Sequence, residues 1–146
     1  MDMSNKRVNE SHFELNEVAN QFKQNICLHE LIDAVAERQP DSVAVIFDNK
    51  QLTYGELVKR ANQLSNYLRD LGVVRETLVG LCIERSLEMI IGAIAIQKAG
   101  GAYIPLDPAF PSSRIELVIE DSKVKVLLTE EKQLKKMLKR QHCLGR

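Results

Sequence analysis

The chain has little of what nucleic-acid-binding and membrane proteins need. Its 146 residues include 20 basic and 20 acidic side chains, so the formal net charge is zero. A neutral chain lacks the long-range attraction to phosphate backbones on which nucleic-acid binding depends. The most apolar stretch, residues 89–96, is far shorter than the ~20 residues that span a bilayer, and the first residues contain no apolar core of a secretory signal. We therefore expect a cytoplasmic protein with no nucleic-acid and no membrane partner.

Cysteine and histidine are also sparse. None of the three cysteines belongs to a CxxC pair, and no histidine stands at a zinc-finger spacing from them. We therefore expect no metal site, and we interpret the thiols as buried or incidental and the histidines as surface or boundary residues. The residues concerned are Cys27, Cys82, Cys143, His12, His29 and His142.

The motifs of the common nucleotide-binding and hydrolytic enzymes are missing too. Neither GxGxxG nor GxxxxGK[ST] occurs, although such glycines are what lets backbone amides close around phosphate oxygens. Gly100 and Gly101 follow a predicted helix instead of preceding one, which favours a helix stop. No GxSxG elbow is present, and Ser86 is typical of a helix cap rather than a nucleophile. The sequence thus predicts no catalytic, cofactor-binding or metal-binding residue.

Two groups of charged residues leave alternatives open. Glu84 and Arg85 follow a predicted strand, at the edge of an α/β sheet where ligands commonly bind, but they are equally typical of solvated charges. The basic residues near the C-terminus could attract an acidic partner or simply keep a helix soluble. They are Lys132, Lys135, Lys136, Lys139 and Arg140.

Length and composition predict one domain. An apolar content of 45% is enough for a hydrophobic core in a chain of this size. Residues 1–25 are polar and without periodicity, so we expect a linker or tail. We assign residues 26–140 to the globular part and residues 141–146 to a second tail. No internal repeat or low-complexity tract occurs.

The first half of the globular part predicts two helices around a hairpin. Apolar residues spaced three and four apart form the first helix, which Pro40 ends. Two short apolar runs, 43–47 and 51–53, flank a turn at 48–50 and predict a β-hairpin. Thr53 and Glu56 form a capping box for the second helix. The predicted stripes are Leu28, Leu31, Ile32, Val35 and Ala36 in the first helix, and Tyr54, Leu57, Ala61, Leu64, Leu68 and Leu71 in the second, which Gly72 would cap.

The second half alternates strands and helices. Strands are predicted at 78–83, 102–105 and 124–128, a helix apolar on nearly every side at 86–99, a helix opened by Ser112 or Ser113, and a lysine-rich helix at 130–140. Connections of this length join parallel strands. We therefore predict an α/β fold, with helices alternating with a mostly parallel sheet and an N-terminal β-hairpin as an antiparallel addition.

Two segments resemble core motifs of nonribosomal peptide synthetase adenylation domains. Residues 52–57 (LTYGEL) resemble the first motif and residues 97–108 (QKAGGAYIPLDP) the second, in the family's order and separation. Residues 28–31, 60–64 and 111–115 are also similar to family segments. The related acyl-CoA ligases typically lack Tyr103 and carry asparagine at Asp107, so both residues favour the peptide-synthetase branch. Residues 15–25 faintly resemble the linker between a condensation and an adenylation domain, with Leu15 where tryptophan is usual.

The resemblance implies an incomplete N-terminal subdomain of the adenylate-forming fold. The complete domain would convert an amino acid and ATP, with magnesium, into an aminoacyl adenylate, and then pass the acyl group to the phosphopantetheine thiol of a carrier protein. The family's phosphate loop, its ribose-binding aspartate, its C-terminal lysine and its amino-acid-selecting residues would all lie beyond Arg146. The chain would then bind no cofactor and be inactive alone. Its motif residues are implied as scaffold: Thr53, Tyr54, Glu56 and Leu57 start a helix, Gly100 and Gly101 turn the chain, and Pro105–Pro108 lead it out of the sheet.

A non-catalytic interpretation stands beside this one. Residues 141–146 do not continue the family pattern, as after a premature stop, a frameshift or a gene split. The chain would then be a truncated remnant or an interaction module. A parallel sheet without its later strands exposes an edge and an apolar face, so we expect marginal stability.

Overall fold

Helices and strands alternate along the chain, as the sequence predicts. The computed structural model describes residues 26–135. In chain order the elements are α1 Leu28–Arg38, β1 Val43–Phe47, β2 Lys50–Thr53, α2 Tyr54–Asp70, β3 Leu78–Cys82, α3 Leu87–Lys98, β4 Ala102–Pro105, α4 Ser112–Ser122 and β5 Val126–Thr129. Residues 131–135 are helical, in agreement with the start of the predicted lysine-rich helix. The predicted tails 1–25 and 141–146 lie outside the described residues.

The hairpin forms, but as a sheet of its own. β1 and β2 pair antiparallel, with Phe47 opposite Lys50, so a two-residue turn joins them. Asp48 in that turn has φ 52, a left-handed conformation that aspartate tolerates better than most residues. The predicted combination of a parallel sheet with an added antiparallel hairpin is confirmed, and the hairpin forms a separate two-stranded sheet.

Helix α1 lies at the periphery and buries none of its residues fully. Ile32 packs against the core. Leu28 was predicted in the buried stripe, but it is 60% exposed because it is the first residue of the helix and lies at the end of the stripe. A charged contact adds to the attachment: Lys98 Nζ at the end of α3 lies 2.5 Å from an Asp33 carboxylate oxygen. Polar as well as apolar contacts therefore hold α1 in place.

Both predicted ends of α2 are confirmed. The Glu56 amide donates to Thr53 Oγ1 at 3.3 Å, and the Thr53 amide donates to the Glu56 carboxylate at 3.0 Å. Gly72 follows the helix with φ +89. Leu71, predicted as buried, is 51% exposed, because the chain turns away there and Val73 takes the buried position instead. The fully buried residues of α2 are Leu57, Ala61, Ser65 and Leu68.

The parallel sheet has the strand order β4-β3-β5, with β3 in the centre. Alternate residues of β3 face opposite layers. Leu81 faces α3, where Gly92 permits close approach: a Cβ there would lie 3.0 Å from Leu81 Cδ1 and 3.6 Å from Leu128 Cδ1. Cys82 faces the other way and packs with Leu106 and with Ile115 of α4. The two crossover helices therefore cover opposite faces of the sheet.

Helix α3 is the centre of the core, as its apolar sequence predicts. Its buried residues pack against α2 on one side and the sheet on another. They are Leu87, Ile91, Gly92, Ile94, Ala95 and Ile96. Burial on several sides is what a helix without a polar face requires.

Helix α4 begins at Ser112, as predicted, whereas two strands differ from prediction at one end. Pro111 is the N-cap of α4 and supplies no side-chain cap, and Ser112 is buried. Strand β5 begins at Val126 and not at residue 124, because Lys123 adopts a left-handed conformation (φ 54) at the end of α4. The β3 strand similarly ends at Cys82, one residue earlier than predicted.

Candidate functional site

A cavity of about 830 Å³ opens at the carboxyl ends of β3 and β4. In open α/β sheets this is the edge at which ligands bind, because the loops that follow the strands diverge there. Glu84 and Arg85, the charged pair singled out in the sequence, both line it. The structure therefore places them at the predicted edge.

Apolar residues form the cavity's walls. Tyr103 and Pro105 pair with Val79 and Leu81, whose side chains belong to the α3-side core, so these two residues of β4 face the same layer. Along α3, Met89, Ile90 and Ala93 line the cavity and are only half-buried. The apolar sequence predicts burial of α3 on more than one face. On the flank of Met89, Ile90 and Ala93 the described residues bury the helix only in part.

The rim carries a loosely connected polar group. The Gln133 side chain is 7% exposed, and its Nε2 donates to Glu84 Oε1 at 3.4 Å. Lys132 Nζ lies 4.0 Å from the same oxygen, and both side chains are largely exposed. Lys135 pairs with Glu131 at 2.5 Å. The remaining basic candidates, Lys136, Lys139 and Arg140, lie outside the described residues.

The loop after β4 is held by its own contacts. Asp107 Oδ1 accepts the Ala109 amide at 2.8 Å, and the Asp107 carbonyl accepts the Phe110 amide at 3.0 Å. The Arg114 guanidinium stacks over the Phe110 ring, 4.5 Å from its centroid. Asp107, part of the segment that resembles the second adenylation motif, thus shapes a turn.

The opposite end of the sheet is closed by the two glycines. Gly100 has φ +91, which an L side chain rarely adopts, and its amide donates to Gln97 O at 3.0 Å. The Gly101 amide donates to Ile96 O at 2.9 Å. A Cβ at Gly101 would lie 3.0 Å from Thr77 O and 3.1 Å from Val73 Cγ1. The predicted role as a helix stop is confirmed.

Ser86 acts as the predicted cap. Its hydroxyl accepts the Met89 amide at 3.2 Å and donates to Glu84 O at 3.0 Å. One of the free amides at the start of α3 is therefore already occupied by a protein oxygen.

A second, polar cavity of about 460 Å³ lies between α1, α2 and the end of α3. Its charges already have partners: Lys98 pairs with Asp33, and Arg69 donates both to Lys98 O and to Asn66 Oδ1. His29 lines this cavity at a half-buried position, which agrees with its predicted boundary role. Ser65 Oγ has no hydrogen-bond partner within residues 26–135. The cavity is a polar junction between three helices.

The described part of the chain offers magnesium no cluster of protein ligands. Between Ile26 and Lys135 there is no group of three or more His, Cys, Asp or Glu side chains that could hold a metal ion. At Gly100 and Gly101 an added Cβ would lie 3.0–3.3 Å from atoms of Arg75, Thr77 and Val73, so the turn is closely packed. Of the cysteines, Cys27 is exposed and Cys82 is buried, while Cys143, His12 and His142 fall outside the described range. No helix in the described part of the chain is long and apolar enough to cross a bilayer.

Comparisons with known proteins agree with this architecture. The chain is 51% identical over 110 residues to a component of the linear gramicidin synthase of Brevibacillus parabrevis, a match that covers 75% of this chain and 2% of that protein. It is 50% identical over 105 residues to the zwittermicin A synthase ZmaJ of Bacillus cereus, a match that covers 72% of this chain and 20% of ZmaJ. The chain thus spans only a small part of these relatives.

A solved structure shares the fold. The N-terminal subdomain of Klebsiella oxytoca NpsA, in complex with anthranilyl-AMSN, superposes with a TM-score of 0.69 at 29% identity, over 74% of this chain and 28% of that one. The family model described as AMP-binding enzyme matches residues 32–145. The motif resemblance, the shared architecture and this match agree, and the chain belongs to the AMP-binding enzyme family.

Proposed function

We propose that the chain forms the first part of the N-terminal subdomain of an amino-acid-activating adenylation domain in a nonribosomal peptide synthetase. The observation that carries this proposal is the β3-α3-β4 unit, whose glycine turn and cavity-facing Tyr103 come from the second adenylation motif. Similarity to a gramicidin synthase and to an NpsA subdomain supports it. The domain works in the cytoplasm, without nucleic-acid or membrane partners.

The complete domain carries out two displacements. A carboxylate oxygen of the amino acid attacks the α-phosphorus of ATP, which forms the acyl-phosphate bond and expels pyrophosphate. The thiol of a phosphopantetheinylated carrier protein then attacks the acyl carbon, gives up its proton and releases AMP. We assign the binding of ATP and magnesium to other parts of the domain, because the sequence contains no glycine-rich phosphate loop and the described residues contain no cluster of metal ligands.

The segment's own contribution is structural. Gly100 and Gly101 close one end of the sheet, and α3 fixes the spacing between the sheet and α2. Holding reacting groups in a fixed geometry is a large part of how such enzymes lower the barrier. We assign the chain no catalytic residue.

A chimera with ZmaJ tests the proposal. Residues 26–135 replace the matched region of ZmaJ, and amino-acid-dependent exchange of pyrophosphate into ATP is measured for a panel of amino acids. We expect the chimera to exchange pyrophosphate with the same amino-acid preference as ZmaJ, because this segment holds no selecting residue. The 146-residue chain alone serves as the control and should give no exchange.

Two results would contradict the proposal. A folded chimera that is inactive would mean that the segment cannot serve as adenylation scaffold. Adenylate formation by the 146-residue chain alone would mean that it binds ATP by itself.

A further inference from the structure

The polar cavity between α1, α2 and the end of α3 has the size of a ligand site. Its volume of about 460 Å³ falls within the range of about 300–1,000 Å³ that is usual for sites of small molecules. Two of its lining side chains are deeply buried: Ser65 is 2% exposed, and the Lys98 side chain is 8% exposed. The cavity therefore reaches into the packed part of the molecule.

The charged side chains that line this cavity are Glu30, Asp33, Arg69 and Lys98, and only two of them neutralise each other. Lys98 Nζ lies 2.6 and 2.5 Å from the two carboxylate oxygens of Asp33. The partners of Arg69 are uncharged, namely the Asn66 amide oxygen and the Lys98 carbonyl. Glu30 accepts one main-chain amide at 2.7 Å and has no ion pair within residues 26–135. One positive and one negative charge in the same cavity are thus left without an ionic partner.

The wall that α2 contributes carries hydrogen-bond donors. Asn62, Ser65, Asn66 and Arg69 follow one another at the three- and four-residue spacing of one helix face. Asn66 Oδ1 already accepts Arg69, so the amide NH2 of Asn66 is what this side chain still offers.

Ser65 marks the inner end of this wall. Its Oγ is buried and has no hydrogen-bond partner within the described residues. A buried hydroxyl without a partner costs free energy, and native structures rarely leave one so. A ligand group that accepts a hydrogen bond at Ser65 is therefore favoured.

We propose that this cavity binds a free amino acid as its zwitterion. Arg69, Asn66 and Ser65 donate hydrogen bonds to the ligand's carboxylate, and Glu30 accepts its ammonium group. A zwitterion supplies both missing charges, whereas a simple anion would be repelled by Glu30 and a simple cation by Arg69. The inference does not depend on the adenylation function proposed above.

An NMR titration of the isotopically labelled 146-residue chain at neutral pH tests the site. Glycine is the probe, because it has both charges and no side chain. We expect saturable shifts of the backbone amides of Glu30, Ser65, Asn66 and Arg69. Acetate and methylammonium carry one charge each and should bind at least about tenfold more weakly, because each lacks one charge-assisted contact.

Ser65→Ala separates binding from folding. It removes a hydroxyl that has no partner within the described residues, so we expect the melting temperature to stay the same or rise. Glycine should nevertheless bind about fivefold more weakly, because one hydrogen bond to its carboxylate is lost. A purely structural role of Ser65 would leave glycine binding unchanged.

Glu30→Gln tests the other end of the ligand. Glutamine keeps an oxygen for the capping contact at the start of α1 but removes the negative charge. We expect glycine to bind at least about tenfold more weakly and acetate to bind as well as before or better. Glu37→Gln makes the same change at an exposed position of the same helix, outside the cavity, and should alter neither affinity.

Three results would overturn the proposal. If glycine shifts no amide saturably, the cavity holds water only. If acetate binds as tightly as glycine, the site recognises an anion and not a zwitterion. If Glu37→Gln weakens glycine binding as much as Glu30→Gln does, the effect belongs to the net charge of the chain and not to this cavity.

Discussion

The two ends of the β3–β4 pair are built in opposite ways. At the amino end, Gly101 packs so closely that even a methyl group would lie 3.0 Å from Thr77 O. At the carboxyl end the same two strands open into a cavity of about 830 Å³. One strand length therefore separates a closely packed end from an open one.

A single sequence motif produces both ends. Residues 97–108 begin with the glycine turn and end in the loop that Asp107 shapes. The glycines leave no room for a ligand, whereas Tyr103 and Pro105 leave room beside α3. The same motif therefore packs one end of the strand closely and leaves the other end open.

The strongest test of this contrast uses two isoleucines on one helix. Ile96 is fully buried near the closed end, and Ile90 lines the cavity. We expect Ile96→Ala to lower the free energy of unfolding by about 2–5 kcal/mol, because it leaves a void in packed surroundings. Ile90→Ala should lower it by about 1 kcal/mol or less. Urea unfolding of the 146-residue chain measures both, and equal losses would break the comparison.

A smaller effect is expected at the glycine turn. The Cβ of Gly101→Ala would press on Thr77 O and on Val73, and overpacking of this kind costs about 1–3 kcal/mol. Gly72→Ala is the control, since it has a positive φ but no atom within 4 Å of the added carbon. We expect its loss to come from backbone strain alone, about 1–2 kcal/mol. A Gly101→Ala variant as stable as the parent would mean that the closed end is less tight than described.

The ion pair of Lys98 and Asp33, beside the closed end, should contribute still less to the free energy of unfolding. The Lys98 side chain is 8% exposed, and Asp33→Asn would leave its charge without a carboxylate. Removing one partner of a buried pair can cost about 3–5 kcal/mol, but Asp33 is partly solvated, so we expect about 1–2 kcal/mol. A double-mutant cycle with Lys98→Met measures the coupling. A coupling energy near zero would show that α1 is held by apolar contacts alone.

The smallest effect is expected at the cavity rim. Glu84 lies 4.0 Å from the exposed Lys132 and accepts one long hydrogen bond from Gln133. Glu84→Gln should change the free energy of unfolding by less than about 0.5 kcal/mol, since exposed ion pairs contribute little. Thermal unfolding at low and high salt checks this. A large loss would mean that the open end is held as firmly as the closed one.

Local chemistry made most of the fold predictable. The capping box of Thr53 and Glu56 and the left-handed Gly72 are short-range devices, so sequence alone located both ends of α2. The burial of Leu71 and Leu28 was predicted wrongly. The apolar periodicity of the sequence continues to the ends of each helix, where no other element packs against it. Burial depends on such tertiary contacts, which the spacing of apolar residues does not reveal.

The candidate site was predictable only in part. Glu84 and Arg85 were placed at the sheet edge because strands of a parallel sheet end together. The cavity itself was not predicted, because Met89, Ile90 and Ala93 have the same apolar character as the buried residues beside them. Only the three-dimensional structure shows that this flank of α3 lines a cavity.

The strand order has a consequence for synthesis on the ribosome. The central strand β3 begins at Leu78, but its second partner, β5, ends only at Thr129, about fifty residues later. At about 5–20 residues per second, translation needs roughly 3–10 s to cross that interval. During those seconds one side of the nascent β3 is open to any extended polypeptide nearby, which is the period in which a holding chaperone would protect it.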